Sequence, residues 1–169
     1  MHTEVADDSL TGLKKLLQDI LVDVADVKRL TADVLNAHTG AVLIVDDQPD
    51  VLKIFSDLLS CDSRLWQMET LGADSFEKAE TIIKTHKKLA LGIFDYHLNG
   101  GKTCQKLSNY LLERGIPVII ISGNPSDAEG YCKEHDIPLL AKPVNYNEVY
   151  SRACYLALKN KMVSRSKSK

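Results

Sequence analysis

Three aspartates, a serine and a lysine each follow directly on a short apolar stretch of this sequence. The run Ala41 to Val45 ends in Asp46-Asp47, the run Leu89 to Phe94 in Asp95, the run Val118 to Ile121 in Ser122, and the shorter stretch Leu139 to Ala141 in Lys142-Pro143. Together these residue types fit phosphoryl transfer to a carboxylate. Packed carboxylates repel one another, which favours a hard divalent cation such as Mg²⁺ with oxygen ligands. Such a cation draws in a phosphoryl donor, offsets charge on its oxygens and leaves one carboxylate free to attack. A lysine ammonium can hold another phosphoryl oxygen as a point charge, and a serine hydroxyl can hydrogen-bond a third.

The apolar stretches are the elements that must bring these groups together. Ala41 to Val45, Leu89 to Phe94 and Val118 to Ile121 are continuous rather than alternating, as expected of strands covered on both faces in a parallel sheet. Trp66 to Thr70 and Leu139 to Ala141 are weaker strand candidates. Helical faces lie between them: Val51, Leu52, Phe55, Leu58 and Leu59; Phe76, Ala79, Ile82 and Ile83; Cys104, Leu107 and Leu111; and finally Val149, Tyr150, Ala153, Leu156 and Ala157. Pro49 suits a first helical turn, Asp74 with Glu77 resembles a capping box, and Gly115 before Pro117 suits a helix stop. The polar stretch Asn124 to Asp136 predicts only a short, loosely held helix. Strands alternating with helices predict an α/β fold of five strands and five helices. Ligands of such sheets gather at the carboxyl ends of the strands, where Asp46, Asp47, Asp95, Ser122 and Lys142 stand.

This order of residues resembles the receiver-domain family of two-component response regulators: an acidic pair after strand one, an acceptor Asp after strand three, Ser or Thr after strand four, and Lys-Pro after strand five. The resemblance spans about residues 41–159 and implies a flavodoxin-like, doubly wound (βα)₅ domain around a five-stranded parallel sheet. It implies Asp95 as phosphoacceptor and metal ligand. Asp47 would be a direct Mg²⁺ ligand, Asp46 would bind the ion directly or through water, and the backbone carbonyl of His97 would add a further ligand. Ser122 and Lys142 would contact the phosphoryl group, and the Lys142-Pro143 bond would be cis. The donor would be a sensor histidine kinase or a histidine phosphotransfer protein, and the chain would catalyse only its own phosphorylation and dephosphorylation. Two departures from the family stand out. Leu139 replaces the aromatic residue that many relatives carry three positions before the lysine. The loop Asp95 to Gly101 has Asn99 in place of a common proline, and its extra glycine predicts a more mobile loop.

Other readings of the same residues are a receiver-like adaptor that is never phosphorylated and a phosphohydrolase with an aspartyl nucleophile. The latter commonly needs a second Asp two residues after the first as acid and base, where this chain has His97. Taken singly, Asp46 and Asp47 could simply cap the helix beginning near Pro49, Asp95 could be a strand-end turn residue, Ser122 before Gly123 ordinary turn chemistry, and Lys142 an exposed lysine.

Length and composition agree with one domain plus an appendage: 169 residues, 44% hydrophobic and 26% charged. Expected boundaries are a flexible N-terminus over 1–9, a long amphipathic helix and linker over 10–39, the receiver domain over 40–160, and a basic flexible tail over 161–169. The net charge of −2 carries no broad basic field, so nucleic acid is not an expected partner. No apolar run approaches the roughly 20 residues of a membrane span. The N-terminus lacks the basic and apolar regions of a secretory signal, so a cytoplasmic protein is expected. Cys61, Cys104, Cys132 and Cys154 have no metal or redox spacing and read as buried or incidental thiols. From Leu10 a heptad places Leu10, Leu17 and Val24 at a, and Leu13, Ile20, Val27 and Val34 at d, with Thr31 breaking the seam. That predicts a homodimer through residues 10–35, with docking back onto the chain's own domain as the alternative. With no separate output domain expected after residue 160, signalling would run through an unknown downstream protein.

Overall fold

A computed structural model of the chain describes residues 40–61, 68–153 and 155–156. The expected N-terminal helix and its dimer seam, Trp66, Cys154, Ala157 and the basic tail lie outside the described residues, as do the side chains of Leu58 and Cys61.

The described chain alternates strand and helix in the order β1 (Ala41–Val45), α1 (Pro49–Cys61), β2 (Glu69–Ala73), α2 (Phe76–Thr85) and β3 (Leu89–Asp95). A small hairpin follows, β4 (His97–Leu98) and β5 (Lys102–Thr103), then α3 (Gln105–Glu113), β6 (Val118–Ser122), α4 (Pro125–Glu134) and β7 (Leu139–Ala141). A last helix, α5, covers residues 146–153 and 155–156. Five strands form one parallel sheet in the order β2-β1-β3-β6-β7, the flavodoxin-like doubly wound arrangement expected from the sequence.

Alternation along the strands sorts the core into two layers. Val42, Ile44, Leu91, Ile93, Ile119 and Ile121 pack with Phe55 and Leu59 of α1 and with Val149, Ala153 and Leu156 of α5. On the other face Leu43, Val45, Phe94, Val118 and Ile120 meet Ala79 and Ile83 of α2, Leu107 and Leu111 of α3, and Ala128 and Cys132 of α4. This double covering explains the unbroken apolar runs, since neither face of the central strands sees water. Gly92 permits the close seating of α3, because a Cβ there would stand 2.7 Å from Leu111 Cδ1 and 2.8 Å from Phe94 Cζ.

Pro49 opens α1 and Gly115, at φ 71°, ends α3, as their chemistry predicts: the left-handed residue lets Ile116 N–H return to the Leu111 carbonyl. Three expectations need correction. The strand β2 runs over Glu69–Ala73 rather than Trp66 to Thr70, because its pairing with β1 is set by register across the sheet. No capping box forms at Asp74: Ser75 is the N-cap of α2 without a side-chain cap bond, and Asp74 instead faces Lys78 at 3.6 Å. The helix α4 is ten residues long and is anchored by the buried pair Ala128 and Cys132, one turn apart. The loop after Asp95 is a paired structure: His97 faces Thr103 and Leu98 faces Lys102, Leu98 is buried, and Gly100 and Gly101 supply the left-handed φ of 78° and 72° that the tight turn requires.

Candidate functional site

Sheet register brings the chemically active residues to one edge. Val45 pairs with Phe94, so Asp46 and Asp95 leave adjacent strands at the same level. Asp95 pairs with Ile121, and Ser122 with Ala141, which puts Lys142 one residue beyond the edge. Carboxylate oxygens of Asp46, Asp47 and Asp95 all lie within 4.8 Å of one another, although these residues are up to 49 positions apart in sequence.

Lys142 closes this cluster. Its Nζ donates to Asp95 Oδ2 at 2.7 Å and to Asp46 Oδ2 at 3.0 Å, drawing together the ends of β1, β3 and β7. Asp46 and Asp95 are buried, at 4% and 8% exposure, so their charges have little water to screen them. Burial pushes the Asp95 carboxyl above the usual carboxylate range, and the Asp46 and Asp47 charges push the same way, while the Lys142 bond pulls against them. For Lys142 burial disfavours the ammonium, yet the bonds to Asp95 and Asp46 outweigh it and the net direction is upward. The second oxygen of Asp46 accepts the Gln48 N–H at 2.9 Å, which fixes the turn into α1. Asp46 thus serves both the turn and the cluster.

Ser122 is fully buried at the end of β6. Its hydroxyl donates to the Asn124 carbonyl at 2.9 Å and accepts the Asn124 N–H at 3.1 Å, so it is engaged in its own turn at the start of α4. The His97 side chain is half exposed and its Nε2 lies 3.0 Å from Asp127 Oδ2. The Lys142-Pro143 bond is cis. Among residues that sequence reasoning passed over, Gln48, Asn124 and Asp127 hold Asp46, Ser122 and His97 in place. Gln48 and Asn124 act through backbone groups on residues two positions away, whereas Asp127 reaches His97 across 30 positions of sequence.

No family model matches the sequence, and no curated protein is matched by it. Solved structures are similar in fold. A response regulator receiver domain protein (CheY-like) from Methanospirillum hungatei superposes with a TM-score of 0.65 at 19% identity, over 73% of this chain and 98% of that one. The fold is that of a receiver domain. A response regulator receiver domain protein from Clostridium thermocellum gives 0.61 at 22% identity, over 73% of this chain and 98% of the other. A Thermotoga maritima response regulator protein, in complex with Mg(2+)-BeF, gives 0.59 at 16% identity, over 69% and 98%. The receiver fold accounts for the described sheet and helices together.

The donor set of the receiver-like site fits a hard divalent ion: three carboxylates, all oxygen donors, with their oxygens within one ion's reach. Among the described residues no helix is long and apolar enough to cross a membrane.

Proposed function

We propose that this chain is a two-component signalling receiver that accepts a phosphoryl group on Asp95 from a histidine kinase or a histidine phosphotransfer protein. The observation that carries the reading is the Lys142 ammonium held between Asp95 and Asp46 at 2.7 and 3.0 Å, beside the carboxylate of Asp47. The first and third strand ends supply acids, and the last supplies a cation, all at one edge.

In this reading Asp46, Asp47, Asp95 and the His97 backbone carbonyl hold Mg²⁺, which when bound offsets charge on the carboxylates and the incoming phosphoryl oxygens. A carboxylate oxygen of Asp95 attacks phosphorus, the bond from phosphorus to the donor's imidazole nitrogen breaks, and that nitrogen regains a proton from solvent. Lys142 moves its hydrogen bond from the Asp95 carboxylate to a phosphoryl oxygen. Ser122 turns its hydroxyl from the Asn124 carbonyl to another. The Mg(2+)-BeF complex of the Thermotoga maritima neighbour supports the same ion and the same class of ligand here. The receiver fold favours a signalling role over a conventional enzyme.

Labelling with acetyl phosphate and Mg²⁺ tests this. The expected product is one base-labile acyl phosphate that maps to Asp95 and is lost in Asp95→Asn, because an amide cannot form it. Full labelling of Asp95→Asn would reject the assignment.

The heptad pattern over residues 10–35 supports a homodimer, since a helix built on that pattern would have to bury its apolar seam. Light scattering at tens of micromolar should report a dimer for the full chain and a monomer for a chain starting at Gly40. A monomeric full chain would reject the dimer.

A further inference from the structure

The first turn of α4 touches the acceptor loop through side chains on both. His97 Nε2 meets Asp127 Oδ2 at 3.0 Å, and Asp127 is the third residue of α4, its N–H bonded to the Asn124 carbonyl at 3.2 Å. The same Asn124 carbonyl receives the Ser122 hydroxyl. The second half of α4 is held differently. The Tyr131 hydroxyl lies 2.7 Å from Asn109 Oδ1 and 3.1 Å from the Gln105 carbonyl, both on α3, and burial pushes this phenol up to about 12, so it stays a donor at any working pH. Gln105 Nε2 in turn donates to the Tyr96 hydroxyl at 2.7 Å. Thus α4 has a fixed end, tied to α3 by a protonated hydroxyl, and an end whose tie to the acceptor loop is a half-exposed hydrogen bond between two side chains. Exposed pairs of that kind are weak and are easily exchanged for a better partner.

We propose that the His97–Asp127 contact is an autoinhibitory latch, which holds the first turn of α4 against the acceptor loop until Asp95 is phosphorylated. This rests on the phosphoacceptor reading of Asp95. The phosphoryl group places added negative charge two residues before His97 and competes with Asp127 for the imidazole N–H. It also competes with the Asn124 carbonyl for the Ser122 hydroxyl. Both exchanges release the same turn, residues 124–127, while Tyr131 keeps the far end in place. Leu139, in β7, has no hydrogen-bonding side-chain group and takes no part in them. The signal therefore leaves through the latch.

Hydrogen–deuterium exchange of residues 124–130 in the full chain tests this, with and without acetyl phosphate and Mg²⁺, and with phosphorylation followed by intact mass. The latch predicts that phosphorylation speeds exchange there several-fold in the parent. Asp127→Ala should exchange several-fold faster before phosphorylation and, compared at equal phosphate occupancy by intact mass, show less than about half the parent's further change. Asp127→Asn keeps an acceptor for the imidazole and should stay near the parent, although it loses the same charge at the helix N-terminus. Parent-like exchange in Asp127→Ala would overturn the latch, and so would Asp127→Asn behaving like Asp127→Ala, which would assign the effect to the helix dipole. Slower exchange on phosphorylation of the parent would overturn it too. If the parent took no phosphoryl group, the phosphoacceptor reading would fall, while the unmodified Asp127→Ala chain would still report whether the contact holds the turn.

Discussion

Asp95 illustrates how one buried group can be costly to the fold and useful to the site. Its carboxyl is raised above the ordinary range, chiefly by burial and then by Asp46 and Asp47, despite a 2.7 Å bond from Lys142. A carboxyl raised in the folded state binds more protons folded than unfolded. Its favourable contribution is therefore complete below the unfolded value of about 4 and is lost as pH rises through the higher folded value. Replacing it with a neutral amide of the same shape removes that loss. In metal-free buffer Asp95→Asn is expected to melt above the parent at pH 8 and by less at pH 4. A gap that is constant or reversed across this range, measured by thermal circular dichroism, would mean that the Lys142 bond outweighs burial.

At the scale of elements, the site depends on how closely helices seat on β3. Gly92 lies in the middle of that strand, and a Cβ there would run into Leu111 Cδ1 at 2.7 Å and Phe94 Cζ at 2.8 Å. Both neighbours are fully buried, so neither can swing into solvent to make room. Gly92→Ala should cost about 1–3 kcal/mol, the usual range for overpacking a filled core, by urea unfolding. Gly123→Ala, where a Cβ would meet nothing within 4 Å, should change stability by much less. Equal costs would show that backbone freedom, rather than packing, decides the Gly92 position. The hairpin after Asp95 belongs to the same scale. Its glycines adopt left-handed φ values that build the turn, and Leu98 beside them is buried.

For the whole molecule, the carboxylate cluster exists only when the ends of β1 and β3 are brought side by side, so an ion that binds it stabilises the folded chain by mass action. Mg²⁺ should raise the melting temperature, by an amount equivalent to about 2.7 kcal/mol at one hundred times its dissociation constant. Asp47→Ala should abolish most of that shift. Lys142→Ala should enlarge it, because the ammonium that offsets Asp46 and Asp95 is gone and the ion takes over that charge balance. An undiminished shift in Asp47→Ala would place the ion elsewhere.

The strands β1, β3 and β6 were legible in the sequence because burial on both faces leaves no polar residue in their runs, and the residues ending them were legible because strand ends must carry the polar chemistry. The edge strand β2 was misplaced by three residues, since it has only one partner and Glu69, Thr70 and Gly72 break any continuous apolar run. Local rules also misjudged α4, whose two buried residues Ala128 and Cys132 are too few to stand out among polar ones. Asp46, Asp47, Asp95 and Lys142 could each be picked out by position, yet nothing local says that Lys142 lies between two of those acids. Register across three strand pairs decides that. The engagement of His97 with Asp127, 30 positions away, was likewise decided by the tertiary structure, because a partner on a neighbouring element is chosen by how the elements pack, which residue type alone does not specify; the turn of Ser122 with Asn124 is local and lay within reach of the sequence.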